Sequence, residues 1–290
     1  MNLLTFDIED GLNLNLRQNF GLSIDPTDRV VFNTRKILDL LKKYHVKGTF
    51  FILGEIAEFF PELILEIRDQ GHEIGVHGYN HLLFTRNNPD TIYDEISRAK
   101  ERIESITKCE VLGHRAPAFS ITQDTPWAFD VIRKAGFKYD SSVVPATNLK
   151  YGLDGFPKEI TKVDTKYGDL VEVPISFINW MGITIPYLGG SYLIRSPKYV
   201  VKKWISDSKN NDQAKYLMLY LHPYEFDTDY KHFPEVYRSK VSIRYPKFYL
   251  QTLISRYNRS SLLPKMEMII QGSTTKGNQS ILEYLSQNGF

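Results

Sequence analysis

Apolar and polar residues follow one another along the chain in short blocks that predict strands and helices in turn. Runs with apolar residues on both faces, such as NLLTFD (2–7) and GTFFIL (48–53), indicate buried strands. Between such runs, segments such as 34–45 and 88–106 place apolar residues three and four positions apart, which is typical of helices. The alternation predicts an α/β fold in which helices cover a parallel sheet.

The remaining elements continue this pattern. We predict further strands at 72–78, at the start of 110–117, and at 137–144, 170–178, 215–223 and 266–270. Further helices are predicted at 61–71, 125–136, 196–209 and 246–258, and residues 145–168 are expected to form a long loop. The expected helix boundaries are Asn88 and Pro89, Pro61 and Gly71, Thr125 and Gly136, and Ser196.

About seven strand–helix units in this length suit a closed barrel better than an open sheet. We therefore expect one barrel domain over residues 1–270, followed by a linker and short helix over 271–290.

Composition narrows the class of protein. The 290 residues are 42% hydrophobic and 24% charged, which is ordinary for a globular chain, and the net charge of +2 gives no sign of a nucleic-acid partner. A single cysteine, Cys109, excludes an intrachain disulfide and a thiolate metal cage. No apolar run is long enough for a membrane span and no secretory signal is visible, so we expect a cytoplasmic protein. The oligomeric state stays open.

Unusual polar residues follow the predicted strands, where reacting groups of a parallel barrel gather. They are Asp7, Glu9 and Asp10 after the first strand, His77 and His81 after the third, Arg115 after the fourth, Asp140 at the end of the fifth, and His222 after the seventh. Three neighbouring carboxylates repel one another, so a positive group should lie nearby.

The stretch HGYNH (77–81) separates two imidazoles by four positions. On a helical turn both would face one side and grip one ion. Two histidines and a carboxylate with open positions form a recurrent ligand set for catalytic Zn²⁺ or Fe²⁺. Alone, such a pair is more often two exposed histidines, but the carboxylates predicted at the same mouth favour a divalent metal, assisted by Arg115.

The other candidates have structural alternatives. Arg115 could form a structural ion pair, and His222 could be a satisfied core histidine or a proton donor. His72 is expected at the far end of the barrel, and His114 could support the site beside Arg115 but is expected to be structural. Trp180, Tyr187 and Tyr192 could form a platform for a sugar ring or could be ordinary packing.

In order and spacing, TFDIEDG, HGYNH, RAPAF, YDSS and LHPYEFD resemble the polysaccharide deacetylase family, also called the NodB-homology or family 4 carbohydrate esterases. Within it the chain is similar to the exopolysaccharide-locus branch with an Asp-x-Glu-Asp first motif. The resemblance spans residues 5 to about 227 and implies a distorted (β/α)₇ barrel.

The resemblance also implies roles. Asp7 would be the catalytic base, Arg115 the residue that orients it, and His222 the general acid. His77 and His81 would bind the metal, most often Zn²⁺, and the backbone N–H near Ala118 would help form an oxyanion hole. Apart from the resemblance, we expect Trp180, Tyr192 and Asp140 to contact the substrate.

Two departures from the family pattern matter. The usual Asp-Asp pair is replaced by Asp7-Ile8-Glu9-Asp10, so Glu9 or Asp10 could bind the metal, and Glu9 is favoured. YDSSVVPA also lacks the tryptophan that usually walls the acetyl pocket.

The expected function is removal of N-acetyl groups from amino sugars of a bacterial surface or exopolysaccharide or its precursor. One alternative is an allantoinase-like hydrolase of a small cyclic amide. Another is a barrel that binds glycan without catalysis.

Overall fold

The computed structural model describes residues 1–146, 152–180, 183–210, 216–228, 257–272 and 277–290. Its strands are β1 (Asn2–Ile8), β2 (Thr49–Ile52), β3 (Glu73–Val76), β4 (Gly113–His114), β5 (Tyr139–Asp140), β6 (Thr161–Val163), β7 (Leu170–Glu172), β8 (Ile178–Trp180), β9 (Ile183–Ile185), β10 (Leu217–Leu221) and β11 (Asn278–Gln279).

The helices surround these strands. They are α1 (Gly11–Phe20), α2 (Arg29–Lys43), α3 (Gly54–Phe59), α4 (Pro61–Asp69), α5 (Pro89–Thr107), α6 (Ala128–Lys134), α7 (Gly190–Arg195), α8 (Lys198–Asn210), α9 (Leu262–Gln271) and α10 (Ile281–Gln287). Short 3₁₀ turns cover Phe84–Arg86, Pro117–Phe119, Pro223–Phe226 and Arg259–Ser261. No helix in the described ranges is both long and apolar enough to span a membrane.

One curved sheet organises the molecule. Within the described residues its strand order is β10-β1-β2-β3-β4-β5-β7-β6, and all neighbours are parallel except β6 and β7. The short β11 pairs with the start of β1, beside the place where β2 begins its own pairing at Thr5. The described sheet is an incomplete barrel with helices outside it, which confirms the predicted α/β barrel class.

The first strand shows how the two faces of the sheet differ. Successive side chains of a strand point to opposite faces. Leu4, Phe6 and Ile8 belong to the large apolar cluster shared with the outer helices. Leu3 belongs to a second cluster with Phe51, on the inner face. Thr5 and Asp7 share the inner face with Leu3, so this alternation directs the Asp7 carboxylate into the barrel.

Local sequence signals fix several helix ends as predicted. Asn88 caps α5 by accepting a hydrogen bond from the Thr91 N–H, and Pro89 occupies the first helical position. Pro61 starts α4, and Gly71 takes a left-handed conformation just after its end.

Other boundaries differ from the prediction. Thr125 does not cap α6, which begins at Ala128, because its hydroxyl is used within the turn that starts at Thr122. Helix α8 likewise begins at Lys198, beyond Ser196.

Several stretches were assigned wrongly or missed. The predicted strand 266–270 lies within helix α9, where Met266, Ile269 and Ile270 are buried at helical spacing. A short apolar run cannot by itself distinguish a strand from a buried helix. Helices α1 and α3 were not predicted, and the expected loop 145–168 contains β6. The predicted helix 246–258 lies almost entirely outside the described residues.

The C-terminal segment packs on the sheet. The Ile281 N–H donates to Thr49 Oγ1 at 2.8 Å, and the ring of Tyr284 lies 5.7 Å from that of Tyr216. The predicted short terminal helix is confirmed as α10, while the domain boundary at 270 stays a prediction.

His72 gives the fold a measurable pH dependence. It is buried just before β3, and the Gly48 N–H points at its Nδ1 at 3.4 Å. Burial, with a smaller effect of Lys47, lowers the pKa of His72 to about 4. Because the unfolded chain binds this proton nearer pH 6.5, folding excludes it, and stability falls as the pH drops from about 6.5 towards 4.

We expect His72→Asn, which keeps an acceptor for Gly48, to reduce this dependence. Between pH 7 and pH 5 the free energy of unfolding should fall by about 2 kcal/mol less in the variant than in the wild type. Urea unfolding at the two pH values measures the difference. Equal losses in both proteins would contradict the assignment.

Candidate active site

The segments that carry polar residues follow the carboxyl ends of neighbouring parallel strands. Glu9 follows β1, His77 follows β3, Arg115 follows β4 and His222 follows β10. Together with β2, which lies between β1 and β3, these strands form one continuous run of the sheet. The structure therefore brings together at one edge the residues that the sequence placed there.

A buried ion pair joins Arg115 to Asp7. The Arg115 side chain is inaccessible to solvent, and its Nη1 lies 2.8 Å from Asp7 Oδ1 and 2.8 Å from Thr5 Oγ1. Its Nε and Nη2 donate to the carbonyl and hydroxyl oxygens of Ser141 at 3.0 Å. With these donors engaged, the guanidinium holds Asp7 in one position and leaves its Oδ2 directed toward the other site residues.

Glu9, His77 and His81 form a cluster whose ligand atoms all lie within 4.8 Å of one another. Glu9 Oε2 is 3.7 Å from His77 Nε2 and 3.2 Å from His81 Nε2, and it is buried without a hydrogen-bond partner. His77 Nδ1 lies 2.9 Å from the Arg115 carbonyl oxygen, to which it donates, so the lone pair is on Nε2. A buried orphan carboxylate oxygen facing two imidazole nitrogens fits a divalent cation.

Asp10 has other partners. It caps α1 by accepting from the N–H groups of Leu12 and Asn13, at 2.8 and 3.4 Å. Its second oxygen accepts from the N–H and hydroxyl of Thr27, at 2.5 and 2.6 Å. Because both oxygens are satisfied, the geometry favours Glu9 over Asp10 as the carboxylate of the cluster.

The two histidines meet by a different route from the one predicted. HGYNH does not form a helical turn; it bends through left-handed backbone at Gly78, with φ of 81°, and His81, with φ of 61°. The buried Glu95 carboxylate accepts from the N–H groups of Tyr79 and Asn80 and so fixes the bend. The spacing prediction was right about proximity and wrong about its cause.

His222 faces the cluster from β10. Its Nε2 lies 3.9 Å from Asp7 Oδ2 and 3.7 Å from Glu9 Oε1. Its Nδ1 lies 3.2 Å from Glu225 Oε2, an ion-pair distance although the contact falls short of hydrogen-bond geometry. The imidazole therefore directs Nε2 toward Asp7 and Glu9 and Nδ1 toward Glu225.

The surroundings shift the pKa values of His77 and His222 in opposite directions. Burial outweighs the attraction of Asp7 and Glu9 and lowers the pKa of His77 to about 4, so this ring is neutral at pH 7. Burial also opposes a charge on His222, but Glu225, Glu9 and Asp7 overcome it and raise the pKa to about 10. For Glu9, burial is outweighed by His81, His222 and His77, which lower the pKa to about 2. The site thus offers a carboxylate, a neutral imidazole and a protonated imidazole.

The loop after Arg115 is strained. Ala118 and Phe119 have positive φ angles of 52° and 50°, a conformation that is costly for residues with a Cβ. Ala118 is exposed, whereas Phe119 is buried against Tyr220. This backbone lies three residues beyond the guanidinium that holds Asp7.

Asp140 is not placed to bind substrate. It is inaccessible to solvent, and its Oδ1 lies 2.7 Å from His114 Nδ1 and accepts from Ser142 Oγ at 2.8 Å. Burial and this neighbouring carboxylate raise the pKa of Glu172 well above its usual range. The expected contact of Asp140 with a saccharide is wrong, because its carboxylate faces a buried polar cluster beneath the site.

The three aromatic residues proposed for a sugar platform do not share one environment. Tyr192 is half-buried on α7, and the Trp180 side chain lies outside the described residues. Tyr187 is buried, donates or accepts a hydrogen bond with Ser208 and lies edge-on to Trp204. It also lines a cavity of about 980 Å³ to which none of the site residues contributes. Tyr187 is therefore not part of a platform at the site.

Sequence reasoning missed two polar contacts. Gln18 on α1 lies 3.0 Å from His81 Nδ1, and its helix was not predicted at all. Glu225 was quoted within a motif without a role. It lies three residues after His222, whose N–H donates to its carboxylate, and this spacing of a cap residue and a glutamate could have signalled the contact.

Comparison with known proteins places this geometry in context. Residues 3–139 match the family model described as polysaccharide deacetylase, and residues 141–261 match that of the domain of unknown function DUF3473. A peptidoglycan-N-acetylglucosamine deacetylase of Bacillus cereus is 29% identical over 173 residues, which are 50% of this chain and 63% of the relative. A peptidoglycan deacetylase of Helicobacter pylori is 29% identical over 195 residues, 59% of this chain and 62% of the relative.

A solved structure from Mycobacterium smegmatis, described as a polysaccharide deacetylase, superposes with a TM-score of 0.66 at 20% identity, over 99% of this chain and 88% of the other. At that identity the likeness shows the fold alone. The matched segment 3–139 contains the Asp7–Arg115 pair and the Glu9, His77 and His81 cluster. Over this segment, just under half of its length, the chain matches the polysaccharide deacetylase family.

Proposed function

We propose that the protein is a metal-dependent hydrolase that removes N-acetyl groups from amino sugars of a bacterial surface or exopolysaccharide or its precursor. One observation carries the proposal: the orphan Glu9 oxygen faces two imidazoles beside an Arg-locked Asp7, with His222 opposite. The deacetylase names of the relatives support the same reaction class.

Glu9, His77 and His81 would hold the metal, and their one carboxylate and two imidazoles suit Zn²⁺. When bound, such an ion polarises a carbonyl oxygen and lowers the pKa of a bound water. The Arg115 carbonyl keeps the His77 lone pair on the nitrogen that faces Glu9.

Asp7 would act as the base. Its Oδ1 is engaged by Arg115, so Oδ2 is the oxygen that takes a proton from the attacking water. The guanidinium holds this carboxylate in one position before substrate binds. The positive-φ segment at Ala118 would offer its N–H to the developing oxyanion.

His222 would act as the acid. An amine leaves too slowly unless its nitrogen gains a proton as the C–N bond breaks. The raised pKa of His222 keeps a proton on the ring at neutral pH, and Nε2 faces Asp7 and Glu9 across the site. The products are acetate and a free amino sugar.

Substrate recognition rests on fewer contacts. Tyr192 and Trp180 are proposed to pack against a sugar ring, and the missing tryptophan of YDSSVVPA leaves the wall of the acetyl pocket to other residues. The allantoinase-like alternative requires turnover of a small cyclic amide. The non-catalytic alternative requires glycan binding without acetate release.

Loss of the proposed acid or base is expected to abolish most turnover. Asp7→Asn and His222→Ala should each lower acetate release about 10²–10⁴-fold, because each removes a proton-transfer group. His77→Ala should do so by removing a metal ligand. The measurement is acetate release from a panel of N-acetylated saccharides, with circular dichroism to show that the fold is intact.

Metal-stripped wild-type protein is the control for this series and should be inactive until Zn²⁺ is restored. Comparable activity from the stripped protein would contradict the scheme. Turnover of a cyclic amide in place of acetate release would favour the allantoinase-like alternative.

Substitutions of the two carboxylates after β1 should have different effects, one on metal affinity and the other on stability. Glu9→Gln is expected to weaken Zn²⁺ binding at least tenfold, measured by isothermal titration calorimetry, because it removes the charged ligand. Asp10→Asn should leave the affinity unchanged but lower the free energy of unfolding by about 1–2 kcal/mol, because an amide has one acceptor oxygen and cannot accept from both Thr27 and the first N–H groups of α1. The reverse pattern would assign the ligand to Asp10.

A further inference from the structure

Glu225 is a buried carboxylate for which the reaction scheme has no use. Only 3% of the residue is exposed, and it lies in the 3₁₀ turn Pro223–Phe226 that directly follows His222. We propose that Glu225 is a positioning residue that fixes the His222 ring with Nε2 toward the scissile bond, and that Gly190 is the small residue that makes room for it. This inference rests on the proposed function.

The carboxylate grips His222 at two points. Glu225 Oε2 accepts from the His222 N–H at 2.9 Å and lies 3.2 Å from Nδ1 of the same residue. One oxygen thus ties the backbone and the ring of His222 together. Pro223 between them has a fixed φ, which limits the freedom of the connecting turn.

The far side of the carboxylate lies against α7. A Cβ added to Gly190, the first residue of α7, would overlap both oxygens and the carboxyl carbon of Glu225. The backbone conformation of Gly190 does not itself demand glycine, since its φ is not in the left-handed region. Glycine at position 190 therefore leaves the space that the Glu225 carboxylate occupies.

A stacking contact with Tyr224 also restrains the His222 ring. Tyr224 stacks on His222 with centroids 4.9 Å apart and planes 17° apart. Stacking restricts tilting but does not distinguish the ring from one rotated by 180° about its Cβ–Cγ bond. Only an interaction with Nδ1 makes that distinction, and Glu225 supplies it.

The orientation has a chemical consequence. A half-turn of the ring exchanges Nε2 with Cε1, so a carbon would face the site, and a C–H cannot donate a proton to an amine. In the observed orientation, Nε2–H passes its proton to the nitrogen as the C–N bond breaks and its electron pair goes to nitrogen. His222 then recovers its proton from water.

The test compares two substrates in the zinc-loaded enzyme. N-acetyl saccharides need the leaving nitrogen protonated, whereas 4-nitrophenyl acetate has a leaving group that departs without a proton. Glu225→Ala should lower kcat on the amide about 10²-fold or more with KM unchanged, and should change ester hydrolysis less than about threefold. Glu225→Gln keeps an acceptor for Nδ1–H and should recover part of the amide activity.

Gly190→Ala provides an independent arm, because it displaces the carboxylate without touching His222. It should reproduce the selective loss on the amide. Glu62→Ala, an exposed glutamate on α4, is the matched control and should match the wild type on both substrates. Parallel losses on amide and ester, or no loss on the amide, would overturn the proposal.

A readout independent of turnover keeps this test separate from the proposed function. The imidazole ¹⁵N shifts of His222, measured by NMR, report the protonation and the environment of each ring nitrogen. They should change in Glu225→Ala and not in Glu62→Ala. If the wild type released no acetate from any saccharide, the proposed function would fail, and unchanged shifts in Glu225→Ala would still overturn the positioning role.

Discussion

The buried guanidinium of Arg115 is the interaction on which the site depends. It binds Thr5 and Asp7 of β1 and both oxygens of Ser141, and its Nη2 lies 3.2 Å from Met218 Sδ of β10. The guanidinium carbon also lies over the Phe51 ring, 4.3 Å from the ring centroid, inside the barrel. A buried charge that loses its partner costs several kcal/mol, so these strands must close around the ion pair together. The same residue orients His77 through its carbonyl, which links the proposed base to the proposed metal ligand.

Much of the fold followed from the sequence because each signal there was local and strong. The apolar runs of β1 and β2 and the capped periodicity of α5 leave few alternatives. The gathering of Asp7, Glu9, His77, Arg115 and His222 followed from one rule, that parallel strands end at the same edge. Spacing alone did not show which carboxylate faces the histidines, and only the resemblance favoured Glu9, because the choice depends on Thr27, a partner 17 residues from Asp10.

The predictions that failed, at α1, HGYNH and Asp140, also have physical causes. In α1 the leucines at positions 12, 14 and 16 alternate as in a strand, and the helix forms because Asp10 caps it. HGYNH bends because Glu95 on a separate helix binds its backbone, which spacing cannot reveal. Asp140 ends a strand, as the active residues do, yet its side chain meets His114 in the interior. Long-range contacts decided the bend of HGYNH and the position of Asp140, whereas the start of α1 depends on a local cap.

The pairing of β1 bears on how the chain reaches this state. Thr5 Oγ1 donates to the carbonyl of Leu219, 214 positions later, and Asn2 Nδ2 donates to Asn278 Oδ1, 276 positions later. The strand that carries Asp7 therefore completes its hydrogen bonding only when distant segments have arrived. Closing such long loops is slow, and an unpaired apolar edge exposed meanwhile invites association with other chains. Newly made copies would consequently be most prone to aggregation before β10 docks, and molecular chaperones that shield the β1 edge would raise the yield.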